Sequence, residues 1–255
     1  MADFVPRPAP PAPAALLERL ASQPGMGPGQ RRLVLLLPQL GDFDSLEYAQ
    51  AVAAALPQLQ AAAIQLLAIG IGEEAGRQRF SAFTGFPLER LLVEATPRLH
   101  RALGLYGGLA QPGGPWLNLL LMCAGIGSPG TLAEVLRGYT GDRQAPQRIA
   151  DGESIQVGGL PALPASLFAW AGGTGFLRPF ELATVRLRNM TEVLGQWRTY
   201  VPNDQALTQR GGTFLIDRDD TLLYSYRDPG ILGFSATMAR PLSFLDPYLR
   251  QPETA

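Results

Sequence analysis

Asp42, Asp44 and Ser45 fall together in Pro38-Gln39-Leu40-Gly41-Asp42-Phe43-Asp44-Ser45, where an apolar run ends and a helical pattern begins. A nucleophile at such a place would gain from the free backbone N–H groups and the dipole of the helix N-terminus, a common device for holding a thiolate. No cysteine stands there. A serine hydroxyl cannot pass through a sulfenic acid, and a neighbouring carboxylate repels a thiolate rather than activating it. The segment therefore reads as an active site without its nucleophile. Asp44 followed by Glu47 is an acidic variant of the capping box, so Asp44 and Ser45 also have a structural role as a helix start.

Other chemistries are narrowed by scarcity. The 255 residues hold one cysteine, Cys123, one histidine, His100, and no lysine. Without lysine there is neither a Schiff base nor a P-loop cation. One cysteine and one histidine make neither an ordinary zinc site nor an internal disulfide, and no metal or cofactor is expected. Cys123 lies in the apolar run 119–124, which predicts a buried, inert thiol, and it is the one alternative to the missing nucleophile. His100, between Arg98 and Arg101, is expected to face solvent.

Two motifs are decoys. Gly70-Ile71-Gly72 follows a strand pattern, but Glu73 and Glu74 occupy the place where a pyrophosphate would bind, so the glycines read as a strand-to-helix turn. Asp217-Arg218-Asp219-Asp220-Thr221 resembles the first motif of haloacid-dehalogenase-type phosphatases. Only a short tail follows it, so a β-hairpin with an acidic turn is expected.

The elements that must position these groups alternate. Residues 31–37 form a buried strand and 45–62 a helix that Pro57 should interrupt. A strand at 64–69, a helix at 73–84, a strand at 91–93 and a helix from Thr96-Pro97 to Leu103 follow, with Thr as N-cap and Pro at N1. This βαβαβα order predicts a parallel sheet with right-handed crossovers. It then breaks over 105–207, which holds all three tryptophans and no convincing strand. Within it Ser128-Pro129 starts a helix and 141–175 looks like loop. Phe180, Ala183, Leu187, Met190, Leu194, Trp197 and Val201 form one helical seam, expected to pack on the protein's own core, with Arg186, Arg188 and Arg198 off it. A hairpin at 213–227 and a helix near 236–249 close the chain. The expected organisation is a Pro/Ala-rich tail and short helix (1–30, disordered up to Pro13), a domain split between 31–104 and 208–250, the insertion at 105–207, and a tail at 251–255.

The flanking elements are in thioredoxin-like order. Pro38-x-x-x-Asp42-x-x-Ser45, together with Arg210-Gly211-Gly212-Thr213-Phe214-Leu215-Ile216-Asp217, resembles the peroxiredoxin (AhpC/TSA) superfamily. Peroxiredoxins carry Pro-x-x-x-Thr-x-x-Cys at the first place and an Arg-Gly-x-Phe-Ile-Ile-Asp-like strand at the second. The resemblance puts Ser45 at the peroxidatic cysteine position, Asp42 at the threonine and Arg210 at the arginine. In the branch with Cys-x-x-Cys, the cysteines would fall on Asp42 and Ser45. Either alignment leaves no thiol. The whole chain, including Trp116-Leu117-Asn118-Leu119 and Arg186-Leu187-Arg188-Asn189, is similar to cyanobacterial peroxiredoxin-like proteins, which implies a phototroph and a role near thylakoids.

The fold expected is therefore α/β, a thioredoxin-like sheet with parallel strands, an antiparallel C-terminal hairpin and a mainly helical insertion. The degenerate site is Asp42, Ser45 and Arg210. The function expected is noncatalytic binding of a protein partner, through Trp116, Trp170, Trp197, Arg186, Arg188 and Arg198, since Trp and Arg anchor interfaces. A one-cysteine redox protein using Cys123 and a small-anion binder in the old pocket are the alternatives. A formal charge of −1 with no basic block argues against nucleic acid. The absence of a signal core leads us to expect a cytoplasmic protein, and membrane contact, if any, would be peripheral.

Overall fold

In the computed structural model, which describes residues 9–249, five strands form one sheet in the order β3-β2-β1-β6-β7. They are β1 (Arg31–Gln39), β2 (Ile64–Ile71), β3 (Leu91–Glu94), β6 (Gly212–Ile216) and β7 (Leu222–Arg227). The β1–β2 and β2–β3 pairs are parallel, and β1–β6 and β6–β7 are antiparallel. This is the expected thioredoxin-like arrangement. β1 is central and buried on both faces, which is why its sequence is a continuous apolar run. Leu33, Leu35 and Leu37 point into one core with α2 (Phe43–Ala54), α3 (Leu56–Ala61) and α4 (Glu74–Thr84). Val34 and Leu36 point to the other face, against α1 (Ala14–Ala21) and α5 (Arg98–Ala102). Burial of each leucine contributes about 2 kcal/mol.

β1 ends in an irregularity that positions the site. Its register against β2 slips between Leu36 and Gln39, across Pro38, which has no N–H to give to a ladder. Leu40 then donates to the Ile71 carbonyl at 3.0 Å, and the chain turns into α2.

Several helix boundaries differ from expectation. The N-cap of α2 is Asp42, not Asp44, with its carboxylate accepting from the Asp44 amide at 2.9 Å. The helical run breaks at Ala55, and Pro57 sits in the first turn of α3, where its missing N–H costs nothing. α5 starts only at Arg98, with Pro97 at its cap and no side-chain bond from Thr96. The expected closing helix is reduced to a 3-10 turn at Ser243–Leu245 and α11 (Asp246–Leu249). Of the tail, residues 1–8 lie outside the described residues. Residues 10–12 are not loose: Leu222 donates to the Pro10 carbonyl and Ala12 to that of Asp220, both at 2.8 Å.

Residues 105–207, expected to be an insertion, contain α6 (Gly114–Cys123), α7 (Thr131–Thr140), a two-strand ladder of β4 (Ser154–Ile155) and β5 (Leu163–Pro164), α8 (Ala165–Gly172), α9 (Glu181–Gly195) and α10 (Trp197–Tyr200). The stretch 141–175 is thus more than loop. It is organised by a fully buried pair: Glu181 accepts from the backbone amides of Arg148, Ile149 and Arg178 and from the Arg178 guanidinium.

α9 lies rotated from the expected seam. Its buried face is Leu182, Val185, Arg186, Asn189 and Val193, whereas Phe180, Leu187 and Leu194 are exposed. Hydrophobic periodicity missed this face because two of its members are polar and satisfied inside. Arg186 donates to Glu47 at 2.7 Å and to the Glu134 carbonyl at 2.8 Å, and Asn189 accepts from Gln50 at 3.1 Å. Glu47 would be raised by burial, but Arg186, Arg148 and Arg137 outweigh that and hold it below the usual carboxylate range. The pair ties α9 to α2.

The decoys resolve as structure. A side chain at Gly70 or Gly72 would run into Leu40. Asp219 closes the hairpin turn onto the Thr221 amide and hydroxyl, while Arg31 and Arg32 bind Asp217 and Asp220. His100, expected at the surface, is fully buried. Its Nε2 bonds the Leu37 carbonyl at 2.8 Å, and burial depresses its pKa, so it is a neutral packing residue.

Arg186→Ala should cost about 3–5 kcal/mol, because Glu47 is left charged and unpaired in the interior. Arg186→Met with Glu47→Gln should cost less than that single change. Urea unfolding of the three proteins checks both.

Candidate functional site

The structure brings Asp42 and Asp44 against Arg210, with Ser45 next to them in the first turn of α2. Arg210, held by its amide on the Tyr106 carbonyl at 2.8 Å, stands two residues before the start of β6 and is fully buried. Its Nη1 donates to Oδ2 of Asp42 and its Nη2 to Oδ2 of Asp44 at 2.9 Å. Ser45, in the first turn of α2, is buried and donates its hydroxyl to the Gln39 carbonyl at 3.2 Å. Two further groups complete the site. Asp44 Oδ2 also accepts from the Leu232 amide, and Asp228 Oδ2 accepts from the Gly211 amide at 3.0 Å. Gly211 is required there, since a Cβ would meet the Leu36 carbonyl, the Pro38 ring and the Asp228 carboxylate.

The electrostatics follow from three carboxylates around one guanidinium. Burial alone would weaken the charge on Arg210, but Asp42 and Asp44 outweigh it and hold the group firmly protonated. Burial, reinforced by Asp42, pushes Asp44 well above the usual carboxylate range, and Arg210, the Leu232 amide and Arg186 offset this only in part. Burial pushes Asp228 up to about 7 against the pull of Arg210. Beside the cluster is a cavity of about 10 Å³, lined by Asp44, Ser45, Tyr48, Thr213, Asp228 and Phe234 among others. It is sized for one water. Both Nη groups of Arg210 are committed to carboxylates, while its buried Nε has no partner.

The other residues named from sequence are placed differently. Cys123 is not buried as expected but exposed at the end of α6. Its thiol pKa is pushed up by partial desolvation and by Asp42 and Asp44, against which Arg210 works alone. Trp116 is exposed, tilts against Trp197 at a centroid distance of 5.1 Å and donates to Asp204 at 3.1 Å. Trp197 is half-buried, and Trp170 is 90% exposed. Arg198 is exposed and paired with Asp204, and Arg188 lies over the Phe83 ring. Arg186, read as a surface cation, is instead locked inside by Glu47 and Glu134. Asp228 escaped notice in the sequence, because Asp-Pro-Gly after a strand reads as a turn and signals nothing else. Among the described residues no group of three His, Cys, Asp or Glu side chains is arranged to hold a metal ion.

Two outcomes test this geometry. Ser45→Cys should give a thiol titrating above the ordinary value of about 8.5, because it joins a buried, acidic site. Adding Asp42→Thr should lower that value, as read by thiolate absorbance against pH. Arg210→Ala should destabilise the protein by about 3–5 kcal/mol in urea, since it leaves buried carboxylates unpaired.

The family model described as AhpC/TSA antioxidant enzyme matches residues 52–230. The match spans residues 105–207 as well as Arg210 and Asp228, and it starts beyond the Asp42 to Ser45 segment. No curated protein and no solved structure matches. With the thioredoxin-like sheet, Arg210 before β6 and a family match over more than half its length, this chain belongs to the AhpC/TSA antioxidant enzyme family.

Proposed function

We propose that this protein is a noncatalytic binding or accessory member of its family, and that it docks a protein partner through the insertion. The observation that carries the reading is where apolar surface lies. Of the sixteen large apolar side chains exposed among the described residues, all but Leu88 fall between Trp116 and Leu194. The outer face of α7 is the clearest part: Leu132, Val135, Leu136 and Tyr139 follow helical spacing and are all exposed. Tyr139 stacks edge-on against exposed Phe180, which extends the face to α9. Residues 102–133, leading into α7, contain no charged side chain. Contiguous exposed apolar surface with few charges is the signature of an interface core.

The state of the old site supports the noncatalytic half. Peroxide reduction needs a thiolate and a cation to hold it. Here the hydroxyl of Ser45 is tied to a carbonyl, and Arg210 is neutralised by Asp42 and Asp44. The two carboxylates on Arg210 also disfavour a small anion in the pocket. A redox role for Cys123 is disfavoured by its raised pKa, although the thiol is accessible. Among the described residues no helix is long and apolar enough to cross a membrane. Placement beside thylakoids would therefore be through a membrane-bound partner or the surface itself, and it is part of this proposal.

Affinity recovery from membrane and soluble cell fractions should capture one stoichiometric partner with the wild-type protein and lose it with Leu136→Asp or Tyr139→Asp. Rapid, stoichiometric sulfenylation of Cys123 by peroxide, abolished by Cys123→Ser, would overturn the reading. So would a partner that binds both α7 variants unchanged.

A further inference from the structure

We infer that the cavity between α2 and the segment 228–234 is a proton-binding site: a proton held on Asp228 latches that segment beside Ser45, and its loss loosens the latch. The geometry starts from two orphaned oxygens. Asp44 Oδ1 and Asp228 Oδ1 are both buried without any hydrogen-bond partner, and both residues line the same water-sized cavity. A buried charged oxygen with no donor is costly, whereas a protonated carboxyl or a single water supplies the missing donor. Charge counting points the same way. Asp42, Asp44 and Asp228 share one close cation, Arg210, so the fully ionised cluster carries two excess negative charges.

The segment being latched is under tension. Leu232 has φ of +56°, a left-handed conformation unusual for leucine, and its amide is pinned to Asp44. Gly230 packs directly against Ser128, and Ile231 bonds the Ser128 and Thr131 hydroxyls on both its amide and carbonyl sides. The segment therefore joins the acid cluster to the start of α7. The latch stands whether or not the apolar face binds a partner.

The groups that act on the pair come from every side. Asp42, Asp44 and Tyr48 approach from α2, Tyr224 and Tyr226 from β7, and Arg210 from the lead into β6. Arg186 of α9 and Cys123 of α6 act on Asp44, and His100 bonds the carbonyl of cavity-lining Leu37. Burial sets Asp228 at about 7 in the closed state. In the open, solvated state it returns to about 3.9. The closed form thus binds the extra proton between these values. Its stabilisation is full below the lower value and lost as pH rises through the upper one.

Amide hydrogen exchange at Leu232 and Ile231, corrected for intrinsic rate, reads this between pH 6 and 9. Protection should fall about fivefold between pH 6 and pH 7 and level off above about pH 8. In Asp228→Asn, which keeps an acceptor for Gly211 and supplies a permanent donor, the slope should vanish while His100 is unchanged. Flat wild-type protection below pH 7, or the same slope in Asp228→Asn, overturns the proposal. Carboxyl carbon shifts of the wild-type protein test it without a variant: at least one aspartate must titrate near 7, and none above 5 overturns it.

Discussion

A guanidinium that is fully out of water is the constraint around which this protein closes. Arg210 cannot shed its proton, so its charge must be answered by anions brought from elsewhere in the chain. The answer comes from the first turn of α2, where Asp42 and Asp44 also face the positive end of the helix dipole. One ion cluster therefore fixes the approach of β6, the entry to α2 and, through the Leu232 amide, the segment beyond β7. Such a cluster contributes little net stability compared with an apolar core of the same volume, but removing one member strands the rest. Its effect is to specify how those segments meet.

α2 serves a second buried arginine one turn later. Glu47 takes Arg186 from α9, and Arg186 reaches on to Glu134 of α7. The stretch 105–207 is thus moored to α2, two residues from Ser45. Apolar packing adds to this, since Val193, Tyr200 and Val201 join the main core with α2 and α4. The outer faces of α7 and α9 are left turned to solvent.

The sheet was legible because its physics is local and repetitive. β1 and β2 are apolar runs of strand length, the β6–β7 hairpin carries its own acidic turn, and alternation with helices dictates parallel pairing. Arg210 and Asp42 were legible only through spacing shared with a family motif. What stayed hidden depends on long-range polar partners. Nothing around His100 announces that the Leu37 carbonyl, sixty-three residues away, will take its ring nitrogen. Nothing in α9 says that Arg186 and Asn189 belong inside, so the apolar seam pointed to the wrong face. Asp228 looked like a turn residue because its partner, the Gly211 amide, lies across the hairpin.

Positions 42 and 45 are physically coupled. A thiolate at position 45 would need Arg210 free to face it and no carboxylate nearby, whereas Asp42 and Asp44 both compete for that guanidinium. With Asp42 present, serine is tolerated because it is neutral and can satisfy itself on the Gln39 carbonyl. With serine present, Asp42 joins Asp44 in answering the charge of the buried Arg210. Each residue removes a penalty that the other position would otherwise carry, so changing one alone to threonine or cysteine leaves a mismatched site. That mutual dependence makes Asp42 and Ser45 a self-consistent pair.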